Sequence, residues 1–153
     1  MKIALADTAA ARRACFAIRR AVFIEEQKIP EAEEWDAADA TCRHYLAMAA
    51  DGPAGTARMI EKGKTAKIGR VAVLPQHRGT GLGRAIMRHV LEAVEETGFD
   101  IAELEAQLPV IPFYERLGFS AEGPVYDDGS GILHRLMRRS IGAAPNRPDA
   151  IFG

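Results

Sequence analysis

Val71-Ala72-Val73-Leu74-Pro75-Gln76-His77-Arg78-Gly79-Thr80-Gly81-Leu82-Gly83-Arg84 is the stretch on which the reading of this chain turns. Ile68, Val71, Val73 and Leu74 predict a buried strand over residues 66–74, which Pro75 ends. From Gly81 to Thr97, apolar residues at 82, 86, 90, 93 and 94 line one face of a helix, and Gly98 stands at its left-handed C-terminus. The first N–H groups of such a helix have no intrahelical partner, and the macrodipole places about half a positive charge there. Gly79, Gly81 and Gly83 leave the main chain uncovered, while Arg78 and Arg84 flank it with charge. The combination is a cradle for a pyrophosphate. A glycine-rich turn without a ligand is the plain alternative.

Two nucleotide motifs are excluded. A Walker loop needs Gly-Lys followed by Ser or Thr, and the chain has no such tripeptide. The dinucleotide fingerprint needs glycine at position 84, where Arg84 stands, and too little chain follows Tyr126 for a second Rossmann half.

Working outward, residues 2–6 predict a short strand, and Asp7-Thr8 caps a helix whose apolar positions are 11, 14, 15, 18 and 22. Pro30 closes it, and the acidic stretch 31–39 is a second short helix or a loop. Strands follow at 45–50 and 54–61, around the turn Asp51-Gly52-Pro53. Residues 101–108 form the next strand, and Pro112 sits in the first turn of a short helix running to Leu117. A terminal hairpin pairs 121–126 with 132–139.

At 153 residues and ~150 per domain, the chain is one domain, read here as residues 1–140 with a tail over 141–153 in which Ile151-Phe152 could dock. Hydrophobic residues at 48% and charged residues at 27% argue against global disorder. A formal charge of −1 lacks the electrostatic footprint of a dedicated nucleic-acid binder, and no apolar run is long enough for a membrane span. Charge interrupts the start too early for a secretory signal, which points to a soluble cytoplasmic protein. Cys15 and Cys42 show no zinc spacing with the histidines, so no metal is expected.

Gln76-His77-Arg78-Gly79-Thr80-Gly81 matches Q/R-x-x-G-x-G/A, the acetyl-coenzyme A signature of the GNAT superfamily of N-acyltransferases. Phe113-Tyr114-Glu115-Arg116-Leu117-Gly118-Phe119 is similar to that superfamily's second hallmark, at the right separation. The chain further resembles the ElaA-like branch through residues 20–27, Glu34-Trp35-Asp36, residues 68–73, Ala106-Gln107, and residues 125–128 with His134. The resemblance implies a single-domain α/β fold. Its sheet is mixed, mostly antiparallel and six- to seven-stranded, with helices on both faces and a splay between the fourth and fifth strands. Acetyl-coenzyme A is then the cosubstrate, with pantetheine along the main chain at Val71, Ala72 and Val73, opposite Gln107. The pyrophosphate falls to Gln76, Arg78, Gly79, Thr80, Gly81, Leu82, Gly83 and Arg84. Homodimers are a recurrent assembly of the superfamily.

Acyl transfer needs a neutral amine, a polarised carbonyl and a proton for the departing thiolate. Tyr114 matches the family tyrosine that gives this proton; packing beneath the coenzyme is its other reading. Glu103, Glu105 and Gln107 share one strand face, and Glu105 occupies the position some relatives use as base, with a solvated strand carboxylate as its other reading. His134 is the second basic candidate, since histidine as a type titrates near neutrality; a satisfied sheet histidine is its other reading. His77 is expected on the phosphate side and His89 on the helix surface. Glu25, Glu26, Glu34, Asp36 and Asp39 form an acidic group over the acceptor channel of such folds, where Glu26 and Asp36 would attract a cationic amine; a solvated loop is the alternative. Trp35 anchors that loop or walls the pocket. The functional expectation is acetyl transfer to a primary amine of a small molecule or peptide, with a non-catalytic acyl-coenzyme A-binding module as the competing class.

Overall fold

A computed structural model describes residues 1–141; the expected tail, with Ile151 and Phe152, lies outside the described residues from position 142 onward. Seven strands form one sheet: β1 (Lys2–Leu5), β2 (Arg43–Ala49), β3 (Gly52–Lys62), β4 (Thr65–Val73), β5 (Ile101–Gln107), β6 (Ser120–Asp127) and β7 (Leu133–Ser140). Their order is β1-β2-β3-β4-β5-β7-β6, so the last strand slots between the two that precede it. Every neighbouring pair is antiparallel except β4 with β5. The expected mixed sheet, seven-stranded, is what the chain forms.

Helices α1 (Ala9–Arg19) and α2 (Glu31–Glu34) precede β2, while α3 (Leu82–Thr97) and α4 (Ile111–Glu115) flank β5 in sequence. Thr8 caps α1 as expected, its hydroxyl accepting from the Ala11 N–H at 3.1 Å. The helix then widens into π-helical turns over Arg20–Glu26, closed by the Gln27 N–H on the Val22 carbonyl at 3.0 Å. Val22 and Phe23 within these turns are both buried.

The longest helix, α3, buries Leu82, Ile86, Met87, Val90, Leu91 and Val94 against β2, β3 and β4. Each contributes about 1.5–3 kcal/mol relative to exposure. Gly55 permits this approach, since a Cβ there would fall 2.6 Å from Ile86 Cδ1. β3 begins at Gly52, inside the predicted turn, and its register with β2 shifts by one residue just before Gly55. A second apolar cluster of Ile18, Val22, Phe23, Ile29 and Ala72 sits under α1, so α1 and the α3–α4 pair cover opposite faces.

A charged network ties α1 to the segment before β2. Arg19, 1% exposed, bonds Glu34 Oε2 at 2.7 Å and both Asp39 oxygens at 2.7 and 3.1 Å. Arg58 forks onto Asp36 with two 2.7 Å contacts and reaches Asp39 at 2.8 Å. Burial works against charge on Asp39, yet the bonds and attraction of Arg19 and Arg58 outweigh it and hold the carboxyl at about 2. Glu34 goes the other way, pushed up by burial despite its arginines. A carboxyl whose folded pKa lies below its ordinary 3.8 adds stability above about pH 4, and that stability drains as pH falls toward 2. Thermal midpoints measured from pH 5 to pH 2 should therefore decline, and Asp39→Asn should start lower and decline less steeply. Parallel curves for the two proteins would show that Asp39 does not carry this linkage.

Candidate active site

The decisive geometry is how briefly β4 and β5 pair. Only Thr65–Ile101, Ala66–Ala102 and Lys67–Glu103 are in register; beyond them the two strands part. On its other side β4 stays paired with β3, but Arg70 and Val71 together face Ala57, a bulge with Arg70 at φ +50°. A bulge adds twist and bends the strand. The β5-facing flank of β4 from Ile68 to Val73 thus opens on a cleft of about 1060 Å³.

The glycine loop closes one end of that cleft. Gly79 and Gly81 adopt φ of +77° and +84°, a left-handed backbone that side chains disfavour, and both have open space where a Cβ would stand. Gly81 is the N-cap of α3, so the N–H groups at the start of the helix point out unpaired by helical geometry. Gly79, Gly81, Leu82, Gly83 and Arg84 line the cleft; Gln76 and Thr80 are exposed on the loop, the Thr80 hydroxyl donating to the His77 carbonyl at 2.6 Å. His77 Nε2 lies 2.9 Å from Asp51, tying the loop to the β2–β3 turn. His89, expected on the helix surface, is half-buried with its ring edge-on to Tyr45.

Arg78 is engaged twice. Its Nε donates to the Val73 carbonyl at 2.9 Å, and its two terminal nitrogens fork onto Glu26 at 2.7 Å each. Glu26 therefore sits beside the glycine loop, its charge matched by an arginine. Asp36 lines the cleft but is likewise matched, by Arg58 and Arg70. Trp35 does not line the cleft: it packs edge-on to Phe16 under the Arg19 and Arg20 guanidiniums, an anchor for its loop.

Tyr114, on α4, is 8% exposed and wedged between the rings of Phe113 and Phe119 at 5.0 and 6.1 Å. It borders the cleft, and its hydroxyl bonds no protein group among the described residues. Burial pushes the phenol well above its ordinary pKa, so it remains a proton carrier at neutral pH. Glu105 is held below the usual carboxylate range: burial opposes its charge, but the facing Tyr126 hydroxyl and Lys67, at 3.1 Å, outweigh it. Gln107 exchanges amide bonds with Gln27 at 2.9 and 3.4 Å, linking the end of β5 to the end of the π-helical segment. His134, 7% exposed, stands directly across from Gln107 and lines the same cleft.

Three groups escaped sequence reading: Arg19, Arg58 and Arg70. All three lie in helix or strand patterns that read as ordinary surface arginines, and only the three-dimensional pairing reveals their carboxylate partners. Asp39, Cys42 and His44 also converge, with Cys42 Sγ 3.4 Å from His44 Nε2. The Asp39 carboxylate there is already spent on two arginines.

A parallel pair that splays beside a glycine-capped helix defines the coenzyme A-dependent acyltransferase architecture. The chain belongs to the acetyltransferase (GNAT) family, matched over residues 10–119. It is 37% identical over 127 residues to the uncharacterized protein YyaT of Bacillus subtilis, covering 81% of this chain and 85% of that one. Its structure is similar to that of Escherichia coli ElaA, with TM-score 0.80 and 29% identity over 90% of this chain and 97% of that one. An acyl-CoA N-acyltransferase from Pseudomonas aeruginosa is similar too, with TM-score 0.81 and 30% identity over 91% and 99% of the two chains. No helix among the described residues is long and apolar enough to cross a membrane.

Proposed function

We propose that the chain moves the acetyl group of acetyl-coenzyme A to a primary amine of a small molecule or peptide by direct attack. The observation that carries this reading is the single cleft shared by the open flank of β4, the glycine loop and the Tyr114 hydroxyl. Pantetheine then pairs along Val71, Ala72 and Val73, reaching toward Gln107. The pyrophosphate sits on the N–H groups of Gly79 to Arg84, with Arg78 and Arg84 supplying charge and Gln76 and Thr80 at the rim. Tyr114 gives its proton to the departing thiolate.

The acceptor enters from the face of α1. There the carboxylates of Glu33 and Asp128 line the cleft with no lysine or arginine partner among the described residues. Negative charge without a basic partner at the cleft rim favours a cationic amine. Glu26 and Asp36, expected to supply that field, are neutralised by Arg78 and Arg58 and contribute less to it. Both cysteines are free thiols, which fits a reducing, cytoplasmic location.

Thiol release from acetyl-coenzyme A over a panel of polyamines, amino acids, basic peptides and neutral amines tests the reading. Coenzyme binding without thiol release for any amine would instead make the chain a non-catalytic regulatory module. Glu26 gives a second check. Because it occupies the guanidinium that a pyrophosphate would engage, Glu26→Gln should tighten coenzyme A binding about two- to five-fold, the scale of an exposed ion pair. Calorimetry reads this directly. A weaker affinity in the variant would mean that Glu26 positions Arg78 rather than competing for it.

A further inference from the structure

We propose that His134 is the general base of the transfer, held by its surroundings in the form whose Nε2 lone pair faces the acceptor amine; this rests on the transferase reading above. The tautomer follows from one contact. His134 Nδ1 lies 2.7 Å from the Ile132 carbonyl, which can only accept, so Nδ1 carries the hydrogen of the neutral ring. Nε2 is then the unprotonated nitrogen. It bonds no protein group among the described residues, and the ring lines the cleft.

The neighbours suit an imidazole that gains a proton. Asp128 Oδ1 stands 3.7 Å from Nδ1, on the side away from the free lone pair, where its charge stabilises the imidazolium. Tyr126 stacks on the ring, centroids 6.1 Å apart and planes 29° from parallel, and limits its rotation. Gln107 faces it from β5, with Glu105 two residues further back on the same strand face. The other carboxylates nearby are poor bases. Glu105 is spent on Lys67, and Asp128 is kept below its ordinary range, its burial outweighed by bonds from Ser130 and by His134.

The two faces of the sheet separate the two proton transfers. Tyr114 packs with Leu104, Ala106 and Met137 on the α3–α4 face. By strand alternation, Glu105, Gln107 and His134 lie on the opposite face, where Gln27 meets Gln107. The gap between β4 and β5 connects them. The amine nitrogen attacks the thioester carbon from the His134 side, forming the C–N bond as Nε2 takes its proton. The C–S bond breaks toward Tyr114, whose phenol proton passes to sulfur. The imidazolium then loses its proton and the phenolate regains one through solvent, so no net proton is made from a neutral amine.

The test uses the full chain and the best amine from the panel. His134→Asn keeps a donor for the Ile132 carbonyl and removes the basic Nε2. Its kcat/KM should fall ~10²–10³-fold, within the usual range for a lost general base. The coenzyme A affinity should stay at the wild-type value. His134→Ala should recover part of its rate with added imidazole. A kcat/KM within a few-fold of wild type in His134→Asn, or absence of imidazole rescue in a folded, coenzyme-binding His134→Ala, overturns the assignment and leaves the transferase reading intact. A wild-type chain that releases no thiol with any amine overturns both.

Discussion

Gly81→Asp should abolish coenzyme A binding while leaving the fold in place. Gly81 caps α3 with φ +84°, and open space surrounds the position where a Cβ would stand, so the new side chain meets no protein atom. Its carboxylate enters the region the proposed pyrophosphate would occupy and engages the same N–H groups. Losing two charge-assisted bonds at about 1.5–3 kcal/mol each implies a ~10²–10⁴-fold weaker affinity, before repulsion between like charges is added. Calorimetry with coenzyme A, beside a circular dichroism melt, separates lost binding from lost structure. Wild-type affinity in a folded variant would show that the phosphates bind elsewhere.

Tyr114→Phe should cut kcat ~10²–10⁴-fold, the usual worth of a positioned acid, with the KM for acetyl-coenzyme A nearly unchanged. The ring contacts with Phe113 and Phe119 survive this substitution, so packing alone predicts no such loss. Burial keeps the phenol protonated through the neutral range, and its own ionisation should put no basic limb on the wild-type rate profile below about pH 10. A variant as fast as the parent, measured where chemistry limits the rate, would reduce Tyr114 to a wall of the coenzyme site.

The parts of the molecule built from local pattern were legible in the sequence. Helix α3 announces itself by apolar spacing and two end glycines, and the alternation of β5 correctly separates Glu105 and Gln107 from Leu104 and Ala106. The brief pairing of β4 with β5 came only through family resemblance, because no propensity encodes where two strands stop touching. What stayed hidden depends on partners far apart in the chain. Glu26 and Asp36 read as free carboxylates because Arg78 lies 52 residues from one and Arg58 lies 22 from the other. The left-handed Arg70 and the π-helical turns of Arg20–Glu26 carry no glycine or proline signal; tertiary contacts impose both.

The unpaired flank of β4 also bears on how the chain avoids binding its own kind. An open row of main-chain donors and acceptors is a template for any extended strand, and apolar Ile68-Gly69-Arg70-Val71-Ala72-Val73 would suit a stacking partner. Three features deny it a long one. The bulge at Arg70 breaks the straight run, the joined ends of β4 and β5 seal one side, and the Arg78 guanidinium occupies the Val73 carbonyl at the other. The flank that remains runs only from Ile68 to Val73 and is bent at its middle, which disfavours a straight incoming strand. The flank proposed to receive the cosubstrate is thus also the stretch of sheet edge where bend, junction and guanidinium together limit pairing.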